Sequence, residues 1–154
     1  MPQLLVILIH AVFLAAGAWL IHVDIQEHRL PNRIVFPTFG VLLLLISADA
    51  VVRGDVIDLR RASLAACVLF VAYLALQMIA PEGVGGGDVK LAAVVGLFLG
   101  WHGWHVFVLG AAAAFFVGGA WAILLITTHR GTGKTAIAFC PCMILGAWAG
   151  LLGG

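Results

Sequence analysis

Six apolar runs follow one another along the chain, separated by short polar or glycine-rich segments. They are Leu4–Val23, Ile34–Val52, Ala62–Ala80, Val89–Trp101, His105–Thr128 and Thr135–Leu151. A membrane-spanning helix needs about 20 mostly apolar residues, and each run carries few or no charges, so the pattern predicts about six such helices. No period-2 alternation is present, which argues against a β-barrel. The fourth run is the short one. Joined to the fifth it would make a helix of about 40 residues, near 60 Å long and twice the hydrocarbon thickness, so the chain must break between them. The cluster Gly100-Trp101-His102-Gly103-Trp104-His105 is the expected break, and its tryptophans suit an interface. The expectation is a short fourth helix entered through a glycine-rich loop; a five-helix chain with one re-entrant segment is the alternative.

Composition narrows the class. Of 154 residues, 64% are hydrophobic and 10% charged, with a mean hydropathy of +1.16, whereas soluble domains run near 45–50% apolar and about 25% charged. A soluble globule of this size has too little interior for so much apolar surface, and disorder needs the opposite composition. Three cysteines are an odd number for a disulfide framework. A net charge of +1 supplies no basic field for nucleic acid. The fold class is therefore an all-α integral membrane protein, a single membrane domain over residues 1–154 in contact with lipid, without a convincing internal repeat. By parity, Arg29, Arg33, Lys90, Arg130 and Lys134 share one side, against Arg53, Arg60 and Arg61 on the other. The positive-inside bias makes the first side cytoplasmic. Ala16-Gly17-Ala18 imitates a signal-peptidase site, but no Lys or Arg precedes it and the run continues to Val23, so an uncleaved first helix is expected.

Two acids fall on the cytoplasmic side. Asp24 ends the first run, and Asp88 follows Gly85-Gly86-Gly87 and starts the fourth. A charge near a membrane core costs roughly 2.5–3.5 kcal/mol, which makes such residues functional candidates. Paired carboxyls that share a proton can activate water and polarise a carbonyl together, without metal or cofactor. The glycine run would allow an extended substrate strand to come close, and Asp88 is placed to N-cap the fourth helix. The alternative at this point is that Asp88 is only a cap and Asp24 only an interfacial anchor.

The stretch DIQEHRLPN, Asp24 to Asn32, resembles the first catalytic segment of prepilin peptidases, and GGGDVKL, Gly85 to Leu91, resembles their second, the GxGD motif. AIAFCPCMILGAW resembles their final helix, although Cys140 and Cys142 stand where small or apolar residues are more usual. The resemblance covers essentially the whole chain. It implies a membrane aspartyl endopeptidase that removes the basic leader from type IV pilin-like precursors, at the cytoplasmic face of the bacterial inner membrane. Carried over by position, Asp24 and Asp88 are the catalytic pair, and Arg29, Pro31, Asn32, Gly85, Gly87 and Lys90 shape or support the site. Larger members add a domain with CxxC motifs and N-methylate the product; this chain has no CxxC, so methylation is not expected. The compact form looks most like the peptidases of Flp-type, tight-adherence pilus systems.

Rival chemistries fit less well. Ser47 and Ser63 lack the G-x-S context of a rhomboid-type protease, no H-E-x-x-H is present, and Val23 stands where presenilin-like proteases have tyrosine. GTGKT resembles a P-loop, but Thr128 occupies the position of its first glycine. His22, Asp24 and His28 lack a diagnostic metal spacing, and neither metal nor cofactor is expected. His102 and His105 are assigned to the exposed turn, and Cys67 to apolar filling. Asp49, Asp55 and Asp58 belong to the opposite face, and Glu82 and His28 to solvent near the site. The small residues of Gly110–Ala114 and Gly118–Ala120 suit close helix packing. Two other functional classes stay open: a small proton-coupled transporter, and a non-catalytic pilus assembly factor. The sequence leaves the oligomeric state open as well.

Overall fold

A computed structural model describes residues 2–27, 30–79, 81, 84–127 and 139–154. It contains six helices: α1 (Pro2–Glu27), α2 (Asn32–Arg53), α3 (Ile57–Ile79), α4 (Gly86–His102), α5 (Trp104–Thr127) and α6 (Phe139–Gly153). All six expected helices are present, with no strand among the described residues. The expectations placed on His28, Arg29, Glu82, Arg130, Lys134 and the GTGKT stretch lie outside them. Gln3–Gln26, Asn32–Arg53, Ile57–Ile79 and Trp104–Trp121 are long and apolar enough to cross a membrane. α4, at 17 residues, rises only about 25 Å.

α4 stands in the middle. It packs against α2, α3, α5 and α6 and is buried almost throughout from Asp88 to Trp101. A helix that is apolar on every face belongs inside protein or lipid; here the surrounding helices cover it. α1 packs on α2 and α6 and meets α4 through side chains. The Phe13 and Phe98 rings stack with centroids 3.9 Å apart, and His10 Nε2 lies 3.1 Å from His102 Nε2.

Two seams of small residues set the tightest contacts. A Cβ added at Gly96 of α4 would lie 2.6 Å from the Ala65 carbonyl oxygen and 2.8 Å from Ala66 Cα of α3. One added at Gly146 of α6 would lie 2.5 Å from the Ala114 nitrogen of α5, and one at Gly150 would lie 2.5 Å from Gly110 Cα. Both seams use glycines four residues apart, which stack on one helix face and let backbones approach. The Gly110–Ala114 segment packs as its composition suggests, whereas Gly119 faces open space.

Two expectations need correction. α3 begins at Ile57 rather than at Ala62, because its charged first turns have partners. Arg61 donates through Nε to the Gly100 carbonyl at 2.7 Å and through Nη2 to the Trp101 carbonyl at 2.8 Å and Asp58 at 2.7 Å. It thereby satisfies carbonyls that the end of α4 leaves without helical partners. His102 is not an exposed turn residue. It closes α4, with its ring against Phe98 and Trp101. The break itself falls at Gly103, whose φ of 138° is one that other residues rarely adopt.

Candidate active site

The glycine run starts the site. Gly85 precedes α4 with extended backbone, and Gly86, Gly87 and Asp88 form its first turn. Asp88 was expected as the N-cap; it is instead the third helical residue, and its Oδ2 accepts the Gly85 N–H at 3.1 Å. A glycine cap has no side chain to offer the first turn, so the carboxylate reaches back to the cap's own N–H, as the acid of a capping box does. The close approach at Gly87 is also with the chain itself. A Cβ there would lie 2.7 Å from Leu30 Cβ and 3.3 Å from the Leu30 nitrogen. That space is therefore taken by the α1–α2 connection, and the run's open side is at Gly85 and Gly86, both exposed.

Asp24 lies on the last turn of α1. Asp24 and Asp88 are both buried, 5% and 7% exposed, and interact electrostatically. They line one cavity of about 410 Å³ with Leu30, Asn32, Gly85, Gly86, Gly87 and Lys90. Lys90 Nζ donates to Asn32 Oδ1 at 2.8 Å and lies 5.5 Å from the centroid of the Phe36 ring. This contact ties the start of α2 to the second turn of α4. Of the residues singled out in the sequence, Asp24, Asn32, Gly85, Gly87, Asp88 and Lys90 come together around this cavity. Pro31 precedes α2 and caps it with extended backbone, and Arg29 lies outside the described residues.

Three further side chains lie within electrostatic range of the carboxyls. Tyr73 of α3, 1% exposed, interacts electrostatically with Asp88. Cys140 and Cys142 of α6, both buried, do so with Asp24 and Asp88. Tyr73 was missed in the sequence, where its only signal is being the single tyrosine of the chain, inside an apolar run. The two cysteines, read as departures from a motif, are buried on α6 within electrostatic range of both acids. Two carboxyls in a cavity floored by apolar helices and open beside a glycine run have the parts needed for general acid–base work on a peptide carbonyl.

Gly87→Val is expected to displace Leu30, and with it the α1–α2 connection that carries Asn32. Misplacing a catalytic constellation by about 1 Å costs up to ~10²-fold in rate. A cleavage assay beside a blot of membrane levels checks this; wild-type cleavage at equal levels would contradict it.

The sequence model of the type IV leader peptidase family matches residues 8–123. Among curated proteins, the prepilin leader peptidase/N-methyltransferase of Aeromonas salmonicida (strain A449) is 30% identical over 134 residues, covering 86% of this chain and 44% of the relative. Proteins of the same description from Bacillus subtilis (strain 168) and Burkholderia pseudomallei (strain 1026b) are 32% and 33% identical, covering 80% and 86% of this chain and 47% and 42% of their own lengths. The chain thus spans less than half the length of these relatives. No solved structure matches it significantly.

Proposed function

We propose that this chain, which belongs to the type IV leader peptidase family, is an aspartic endopeptidase that removes the leader from type IV pilin-like precursors, of the Flp type, at the cytoplasmic face of the bacterial inner membrane. The observation that carries the reading is the pair Asp24 and Asp88, buried at one end of the bundle and lining one cavity beside the glycine run.

Two neighbouring carboxyls in such a site hold one proton between them, because both cannot ionise cheaply. The ionised member takes a proton from water as the oxygen attacks the scissile carbonyl carbon. The protonated member gives its hydrogen to the carbonyl oxygen. In the tetrahedral intermediate the roles reverse: the first acid protonates the leaving nitrogen, the second recovers a hydroxyl proton, and the C–N bond breaks. Asn32 and Lys90 brace the mouth of the cavity, while Gly85 and Gly86 leave room for the substrate backbone. Pro31 and Gly87 shape the two turns that bring the carboxyls together, and Arg29 belongs to the same motif. The precursor's own apolar helix lies against the enzyme in the membrane.

The test is co-expression with pilin-like precursors, followed by gel shift and N-terminal sequencing. A new N-terminus immediately before the precursor's apolar helix is expected. Precursors left whole by a chain present at normal membrane levels would overturn the proposal and favour transport or an assembly role.

A further inference from the structure

At the other end of α1 and α4 lies a second polar cluster. His10 stands 14 residues before Asp24 on α1, and His102 stands 14 residues after Asp88 on α4. The two histidines therefore join the same pair of helices, about 21 Å along the axis from the carboxyls at 1.5 Å per residue. They line a cavity of about 560 Å³ with Arg53, Asp58, Arg61 and Trp101.

Their hydrogen bonds fix where the ring hydrogens are. His10 Nδ1 lies 2.8 Å from the Val6 carbonyl oxygen, and His102 Nδ1 lies 2.9 Å from the Phe98 carbonyl oxygen. A carbonyl only accepts, so each Nδ1 carries a hydrogen and donates it. In a neutral ring the other nitrogen, Nε2, then has only a lone pair. Yet the two Nε2 atoms face each other at 3.1 Å, which is hydrogen-bond distance. Two opposed lone pairs repel; one proton between them turns the contact into an N–H···N bond.

We propose that His10 and His102 hold one proton between their Nε2 atoms and so form a proton-bridged clamp between α1 and α4, at the end of the bundle away from the carboxyls. His10 is flanked by the rings of Phe98, Trp101 and Trp148. From α3, the Arg61 guanidinium opposes positive charge on His102, and its own charge is paired with Asp58. From α2, Asp49 accepts from Trp101 Nε1 at 3.3 Å and is paired with Arg53 at 2.9 Å. α6 presents Trp148 and Leu151, and His105 at the start of α5 lies against Gly154. The two acids and two arginines balance, leaving the pair's proton as the cluster's surplus charge. Among the described residues no three His, Cys, Asp or Glu are grouped to hold a metal. Loss of the proton leaves the lone pairs opposed, and the rings must part.

The full chain, labelled with 15N-histidine in detergent micelles, is examined by NMR between about pH 5 and pH 8, where imidazoles titrate. His10→Gln and His102→Gln assign the two rings. If either misfolds, removal of His22, His28, His105 and His129 leaves only the pair visible. Both Nε2 signals are expected at shifts intermediate between protonated and bare nitrogen, moving together in any step they show, as coupled sites do. Independent steps for the two rings, two bare Nε2 atoms throughout, or a spectrum altered by EDTA would each overturn the proposal. The readout involves no peptide cleavage, so its failure leaves the peptidase reading untouched.

Discussion

Asp24→Asn and Asp88→Asn are each expected to abolish precursor processing, while Asp55→Asn leaves it intact. Asparagine keeps the size of the side chain and so preserves the cavity, but it neither takes nor gives the catalytic proton. General acid–base groups contribute about 10²–10⁴-fold to a rate, and in the proposed mechanism each carboxyl serves both halves of the cycle. Losing one therefore disables the other, and the double variant is expected to be no slower than either single one, as for residues that act as a unit. Asp55 lies at the opposite end of the bundle, exposed, where its Oδ1 accepts the Ile57 N–H at 2.8 Å. Processing is scored by gel shift and N-terminal sequencing against membrane levels of each variant. Normal processing by either single Asn variant would remove the aspartyl mechanism.

The second large effect concerns the α3–α4 seam. Gly96→Val is expected to prevent stable folding, because its Cβ would lie 2.6 Å from the Ala65 carbonyl oxygen. That neighbour is helical backbone, which cannot rotate aside as a side chain does. Overpacking typically costs about 1–3 kcal/mol, occasionally more, and a clash between two backbones belongs at the upper end. Gly119→Val makes the same chemical change on α5, where nothing lies within 4 Å. It is expected to accumulate and unfold like the wild type. Membrane levels and thermal unfolding in detergent compare the two, and equal behaviour would mean that α3 and α4 are not packed this closely.

The helices were legible because lipid imposes a single strong requirement, an apolar run long enough to cross, and the six runs carry that signal openly. The break at Gly103 was legible for the same reason, since one uninterrupted helix would be too long. Features that depend on partners distant in sequence were not. Arg61 becomes helical at a position that looks like loop because it meets carbonyls 39 and 40 residues away. His102 looks like a turn residue until His10, 92 residues earlier, is set against it. Tyr73 sits in an apolar run whose pattern does not say which face turns toward the acids. The carboxyls themselves were found through their motifs and parity. The position of Asp88 was misjudged by three residues because the cap is a glycine, which works through backbone rather than through a side chain.

The shortness of α4 has a consequence for water. α1, α2 and α3 rise about 39, 33 and 35 Å for their 26, 22 and 23 residues, around a central helix of about 25 Å. The first turn of α4 opens on the cavity of the carboxyls and its last residues on that of the histidines. A hydrolytic site inside a membrane needs water below the level of the headgroups, and ferrying it through hydrocarbon would be costly. Under the proposed cleavage, a central helix shorter than α1, α2 and α3 would let the aqueous phase reach in toward the acids, with no path through hydrocarbon needed.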